Sequence, residues 1–393
     1  MVQYVNLPTG DGFGWGVAGE YCALELARLS PTRLINANLG AVPSRDANRQ
    51  QALASLHIRE EQLNAFPKEG GKIQLDGPLI QEITMPTFLP QRTDLRGTRS
   101  IGYAFFEANL WGPRFAQTCR YFDWVVCGSS WCTNILRQNG ATNVSTVLQG
   151  VDSQLFSPAL SLKKQWHDRF VVFSGGKFEY RKGQDIVIRA YKVLQDRHRD
   201  VMLVNAWFNH WPGSVGSMWN SPIIRLPAFA GTCEQIIQNV LATNGIDLSR
   251  VATLGRLSNA VMPAVYRETD IGLFPNRCEG GTNLVMTEYM ACGKPVLAVD
   301  ATGQHDVLSA DHALLIGTGK EIPVKEPTGE IVASWSEPNL DEMIEKLEWA
   351  YHHRDEIKQL GLKGSQFAAN LTWERTAKDL FRVMHQPLHE LGN

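Results

Sequence analysis

Long hydrophobic runs are missing from this chain of 393 residues, and none approaches the roughly 20 apolar residues that cross a bilayer. The opening MVQYVNLPTG also lacks the basic start and long apolar stretch of a signal peptide, so the expected location is cytoplasmic. Neither sign of charge dominates: 38 basic residues stand against 40 acidic ones, which leaves no electrostatic footprint for a polyanion. Nucleic acid is therefore not an expected partner. The seven cysteines (Cys22, Cys119, Cys127, Cys132, Cys233, Cys278 and Cys292) are odd in number, scattered and without CxxC pairs. That pattern excludes a zinc ribbon and suits a reducing compartment. GxxxxGK[ST] is absent, which removes a Walker-type phosphate loop. No Asp-x-Asp pair offers itself to a metal, and no metal is expected.

What is present is organised around Cys278 to Val299, CEGGTNLVMTEYMACGKPVLAV. The apolar run from Ile271 predicts a strand, broken by Pro275-Asn276-Arg277 before the turn Glu279-Gly280-Gly281-Thr282-Asn283. Glycines let that backbone approach a ligand closely. From Leu284 the spacing of Leu284, Val285, Glu288, Tyr289 and Ala291 predicts a helix of about two turns, closed by Gly293 with Pro295 beyond. Its N-terminus suits an anion, but that dipole contributes only about 0.3–1 kcal/mol at an exposed site. A diphosphate therefore needs fixed cations elsewhere. Glu288 suits neighbouring ribose hydroxyls, since one carboxylate accepts from both.

The missing cations stand in SGGKFEYRKGQ, where Lys177 and Lys182 flank a strand-to-helix turn that also carries Gly175 and Gly176. Charge-assisted contacts from two such lysines are worth roughly 1.5–3 kcal/mol each. Near the start, Val2 to Leu7 predicts a strand, followed by a glycine turn and a helix over Tyr21 to Leu29. Gly14, Gly16 and Gly19 satisfy GxGxxG, so a nicotinamide site has to be weighed. Its acidic partner, about 20 residues on, is not there: the second strand, Arg33 to Leu39, ends in Asn36 and Asn38. A glycine turn facing a different phosphate is the preferred reading.

Strands and helices alternate along the rest of the chain, which argues for parallel, doubly wound sheets. Strands are expected at Lys72 to Leu75, Gln81 to Thr84, Ser100 to Phe106, Trp124 to Cys127 and Val144 to Leu148. In the second half they are expected at Phe170 to Phe173, Val201 to Ala206, Ile223 to Leu226, Val251 to Leu254 and His312 to Leu315. The length suggests two domains of about 200 residues or somewhat less. The linker-like stretch Asp152 to Gln165 divides them, giving 1–158 and 159–373, with a final helix of about 374–393.

Four segments carry a resemblance: SSWCTNILRQNGATNVSTVLQGVDSQLFSP, SGGKFEYRKGQDIVIRAYKVL, LGRLSNAVMPAVYRETDIGLFPNRCEGGTNLVMTEYMACGKPVLAV and LTWERTAKDLF. In this order and at this spacing the chain resembles retaining glycosyltransferases of family 4 (glycosyltransferase group 1) over roughly Ser129 to Leu380. The resemblance implies an α/β GT-B fold, two facing Rossmann-like doubly wound domains with a central cleft. The second domain would hold a nucleoside diphosphate sugar and the first an acceptor, with the last helix crossing back to the first. The family's two diphosphate-binding cations carry over to Lys177 and Lys182, although its first position is more often arginine.

Its Glu, seven residues, Glu pair carries over to Glu279 and Glu288. Here eight residues intervene, and a helix would turn Glu288 about 100° if it absorbed the extra one. The turn Gly280-Gly281-Thr282-Asn283 must take it up instead. Leu284 completes the donor-binding run, Gly14 and Gly16 would face the donor phosphates across the cleft, and Arg256 lies beside the expected base site. Glu107 stands where the family often has an acceptor-side histidine, which assigns it a role in orienting or deprotonating the acceptor hydroxyl.

The function so implied is hexosyl transfer, of the polysaccharide biosynthesis type, to a glycan or other small hydroxyl acceptor, with no cofactor beyond the donor. The alternatives are a GT-B nucleotide-sugar epimerase, a catalytically inert glycosyltransferase-like binding subunit, and a dehydrogenase built on GWGVAG. Peripheral membrane contact through Arg92, Arg96 and Arg99 is the less favoured reading, since no Lys-rich amphipathic helix supports it. Trp207 to Trp219 is either a sugar platform or a packed insertion.

Overall fold

The computed structural model describes residues 1–35, 46–85, 87–110, 119–158, 163–209, 212–325 and 329–391. Asn36 and Asn38, and residues 159–162 of the expected linker, lie outside the described residues.

Two sheets carry the molecule, each with a path of six parallel strands, and the short strand Leu89–Pro90 adds an antiparallel seventh to the first. The first holds β1 (Gln3–Asn6), β2 (Thr32–Leu34), β3 (Leu79–Thr84), β4 (Ser100–Ala104), β5 (Trp124–Cys127) and β6 (Val144–Thr146), in the spatial order 2-1-3-4-5-6. The second holds β7 (Phe170–Lys177), β8 (Val201–Phe208), β9 (Val251–Thr253), β10 (Ile271–Phe274), β11 (Val296–Val299) and β12 (Leu314–Ile316), in the order 9-8-7-10-11-12. Runs such as WVVC, IGLF and VLAV are buried along their whole length because helices cover both faces of a parallel sheet. The period of two still separates the faces. Phe170 and Val172 join one core cluster of the second sheet, while Val171 and Phe173 join the cluster on its other face.

Each order reverses once, between β1 and β3 in the first sheet and between β7 and β10 in the second. In open α/β sheets the crevice outside the carboxyl ends at such a reversal takes the ligand. The helix Trp373–His385 returns to the first sheet, where its Ala377, Leu380 and Val383 share a core with Val17, Ala18 and Tyr21. Tyr21 and Trp373 stack at 5.1 Å, and the Thr376 hydroxyl donates to the Leu148 carbonyl at 2.8 Å.

Several local expectations need correction. Ile223 to Leu226 is not a strand: Ile223, Ile224 and Leu226 pack their side chains on the second core from an irregular segment. Lys72–Gln74 is a strand, but it pairs with Lys68–Glu69 and Leu95–Arg96 in a small separate sheet. The first helix begins at Gly14, not Tyr21, so Gly14 and Gly16 lie inside it. The glycine turn proper falls at Gly10 and Gly12, whose φ values are 139° and 84°. An antiparallel hairpin, β13 (Thr318–Lys325) and β14 (Ile331–Pro338), follows the second sheet and had no counterpart in the expected elements.

Candidate active site

A cleft of about 500 Å³ opens between the carboxyl ends of the two sheets, at both reversals of strand order. From the first sheet it is lined by Gly12, Phe13, Gly14, Trp15, Glu82 and Glu107, among others; from the second by Gly176, Lys177, Arg181, Lys182, Glu279 and Glu288. The helix Gly14–Leu29 points its N-terminus there, with no side chain capping its first N–H groups. Those groups are donors for an anion. Gly14 has open room, its nearest would-be Cβ contact being Leu284 Cδ1 at 3.8 Å. Gly16 serves packing, since a Cβ would stand 2.2 Å from the Gly10 carbonyl oxygen.

The turn after β7 supplies the charge. Lys182 Nζ contacts Glu279 Oε1, and Arg181 Nη1 lies 3.1 Å from Glu279 Oε2 and 3.3 Å from Glu107 Oε1. The other arm of Arg181, Nη2, reaches Glu179 Oε1 at 2.6 Å. Three cations, Lys177, Arg181 and Lys182, thus face three carboxylates, Glu107, Glu179 and Glu279. Burial alone would raise the Glu279 carboxyl; Lys182 and Arg181 overcome it and hold the group below its ordinary range. Gly183, at φ 74°, starts the next helix where a Cβ would meet the Pro275 carbonyl oxygen at 2.0 Å. That close approach seats the cationic turn against the end of β10.

After the turn that follows β10, the helix Leu284–Ala291 starts where its spacing predicts. Asn283 takes φ 64° and its side chain accepts from the Met286 N–H. Gly281 and Asn283 line the cleft with Leu284. Gly280 is placed otherwise than as a ligand-facing residue, because a Cβ there would lie 2.5 Å from the Phe106 carbonyl oxygen. The Thr282 hydroxyl is buried without a partner. Glu288 is buried in the cleft wall, where Oε1 accepts from Asn259 Nδ2 at 2.8 Å. Burial pushes its carboxyl up to about 8, against the Asn259 hydrogen bond.

Asn259 is itself anchored from the first sheet. Asp11 Oδ1 accepts from the Asn259 N–H at 2.7 Å, and Asp11 Oδ2 accepts from the Ser258 hydroxyl. Arg256, expected beside the base, instead donates from Nη2 to the Asp11 carbonyl at 2.9 Å. Its neighbours Gly255 and Leu257 line the cleft in its place, with Met262 and Tyr266. Glu107 is held by its backbone: its carbonyl accepts from Trp335 Nε1 at 2.8 Å, and Asn109 pairs with both backbone groups of Ser334 on β14.

Sequence reasoning named Lys177 and Lys182 but missed Arg181, Asn259 and Asp11. Arg181 stood in the same turn, four residues from Lys177, and offers the guanidinium that Lys177 lacks. Arg277, read only as a strand breaker, is fully buried and bidentate to Asp185 at 2.8 Å, with Glu337 of β14 on its other edge. The three arginines considered for a membrane surface are engaged within the chain. Arg92 pairs with Asp94 and Glu60, Arg96 with Asp123, and Arg99 donates to the Val383 carbonyl. Trp207 is a core residue bonded to Ser174 at 3.0 Å, whereas Trp219 is exposed. His198, Glu348 and His352 have ligand types and spacing for a metal ion, but none of them lines the cleft.

Residues 228–325 match the family described as glycosyl transferases group 1. An uncharacterized glycosyltransferase of Methanocaldococcus jannaschii is 23% identical over 264 residues, 67% of this chain and 60% of that protein's length. Among solved structures, sucrose-phosphate synthase from Thermosynechococcus elongatus is similar at a TM-score of 0.65 and 14% identity, covering 97% of each chain. HepE of Anabaena, in complex with UDP and glucose, is similar at 0.63 and 13% identity, covering 98% of this chain and 99% of that one. With its two reversed sheets the chain has the GT-B fold of these structures, and residues 228–325 are similar to the glycosyl transferases of group 1.

Proposed function

We propose that the protein is a retaining glycosyltransferase that moves a sugar from a nucleoside diphosphate sugar to a hydroxyl of a glycan or other acceptor. Residues 159–373 hold the donor, and residues 1–158, with the final helix, receive the acceptor. The observation that carries this reading is the cluster of Arg181, Lys182 and Glu279 at the reversal between β7 and β10, faced across the cleft by a helix N-terminus. The donor diphosphate takes over Lys177, Arg181 and Lys182 as partners, and the N–H groups at Gly14 and Leu284 add to them. Such fixed donors act on the charge that grows on the departing diphosphate, and one of them is typically worth about 10²–10³ in rate.

Glu288 receives the ribose hydroxyls while Asn259 holds its other side. Glu279, freed in part from Lys182, turns to the transferred sugar. The acceptor hydroxyl attacks the anomeric carbon on the face that the diphosphate leaves, and its proton passes to a leaving phosphate oxygen. Glu107, fixed by Arg181, orients that hydroxyl. No cofactor beyond the donor is required. HepE was solved with UDP and with UDP-glucose, so a uridine diphosphate sugar is the first donor to test.

Thermal stabilisation by UDP, GDP, dTDP and NAD, measured in parallel with a Lys182→Ala variant, tests the reading. One nucleoside diphosphate should stabilise the protein, and the variant should lose the effect. Stabilisation by NAD alone, unchanged in the variant, would falsify it and return the argument to Gly14, Gly16 and Gly19.

A further inference from the structure

Glu82 belongs to β3, the strand beside β1 where the first sheet reverses, and it lines the cleft. Only 8% of it is exposed, and its Oε2 is buried with no hydrogen-bond partner. A buried carboxyl without a partner is costly, and a fold that retains one at a cleft wall has left a place for a ligand's donors. Burial pushes this carboxyl up to about 7. Around it the wall is apolar and aromatic: Trp15, Ile83, Met85 and Phe105. Trp15 meets Phe105 edge-on, with centroids 4.5 Å apart and planes at 90°, which makes a rigid corner.

The charge of the cleft is divided between its sides. Among the described residues that line it, the cations Lys177, Arg181 and Lys182 all come from the end of β7 and the turn after it, while the first sheet's side contributes only the carboxylates Glu82 and Glu107 among its charged groups. Arg181 is already shared by Glu107, Glu179 and Glu279. We infer that Glu82 and the Trp15–Phe105 corner form the acceptor subsite and select an uncharged sugar over a phosphorylated one. The carboxyl accepts from neighbouring hydroxyls, the rings cover the C–H face of the sugar, and a phosphate on the acceptor meets two carboxylates with no cation on that side among the described lining residues.

This inference rests on the transferase reading, and its test separates the two. With UDP bound, saturation-transfer NMR is run on the pairs glucose and glucose 6-phosphate, and fructose and fructose 6-phosphate. The neutral member of at least one pair should bind and its phosphate should not. Glu82→Ala should weaken the neutral sugar at least tenfold while UDP affinity stays within twofold. Glu82→Gln, which keeps shape and removes charge, should narrow the discrimination against the phosphate. The inference is overturned if a phosphorylated member binds as well as its neutral partner. It is equally overturned if no neutral sugar binds while UDP does, or if both variants keep wild-type sugar affinity. Failure of every nucleoside diphosphate to bind would sink the transferase reading and this inference with it.

Discussion

At Glu279 two cations converge on one buried carboxylate, so removing the negative charge leaves Lys182 and Arg181 facing each other in a poorly solvated wall. Breaking a buried pair in this way typically costs about 3–5 kcal/mol. Glu279→Gln is expected to lose stability of that order in urea unfolding, and to lose transfer activity more severely than its stability explains. Glu288 behaves in the opposite sense. Its carboxyl sits at about 8 in the folded protein against an ordinary 4.5, so between those values the folded state keeps a proton that the unfolded chain releases. Stability should therefore fall as pH rises through that window, and Glu288→Gln should flatten the fall in a pH series of unfolding curves. Ribose hydroxyls favour the charged form, so nucleotide binding at pH 7 should expel a proton. Calorimetry in buffers of different ionisation enthalpy reads that directly, and the Gln variant should show none. Lys182, Glu279 and Glu288 were legible because each sits in a turn or helix that its own neighbours specify. Arg181 stood in the same turn, but its importance comes from Glu107 and Glu279, 74 and 98 residues away in the sequence.

The connecting elements bond the two sides of the cleft to each other. The hairpin β13–β14 belongs in sequence to the second half, yet β14 bonds Asn109 and the Glu107 carbonyl of the first. Through Glu337 the same strand grips the buried Arg277 at the end of β10. Asn109→Ala removes two bonds to Ser334 and should cost about 1–3 kcal/mol in unfolding experiments. It should also raise the acceptor KM with little change for the donor, because the loop that carries Glu107 loosens. A second element depends on one left-handed residue. Gly183→Ala combines φ 74° with a contact at the Pro275 carbonyl, and should destabilise by at least about 1–3 kcal/mol. The hairpin escaped sequence reasoning for a physical reason: β13 is exposed along most of its length, so it carries no apolar period to read. The helix Cys233–Thr243, by contrast, buries Ile237, Val240 and Leu241 at helical spacing, a period that is visible in the chain.

Across the whole molecule, closure of the cleft runs through Asp11. Its carboxylate takes Ser258 and the Asn259 N–H from the opposite half, and its carbonyl takes Arg256. Asp11→Ala should raise the radius of gyration in small-angle scattering without nucleotide, and weaken nucleoside diphosphate binding by roughly tenfold, about 1.4 kcal/mol. An unchanged scattering profile would show that the halves stay together by other contacts. The alternation of buried strands and amphipathic helices, the glycine turns after β7 and β10, and the lysines and glutamates placed on them were determined by the sequence itself. Each is a local pattern, in which side-chain period and backbone freedom act over a few residues. Only the tertiary structure decided which charges neutralise one another, that Arg256 turns to Asp11, that Gly280 packs on Phe106, and that Glu82 stands unpartnered in the cleft. Those outcomes depend on atoms that meet across tens to hundreds of residues, where Coulomb attraction and desolvation follow distance in space and leave no periodic trace along the chain.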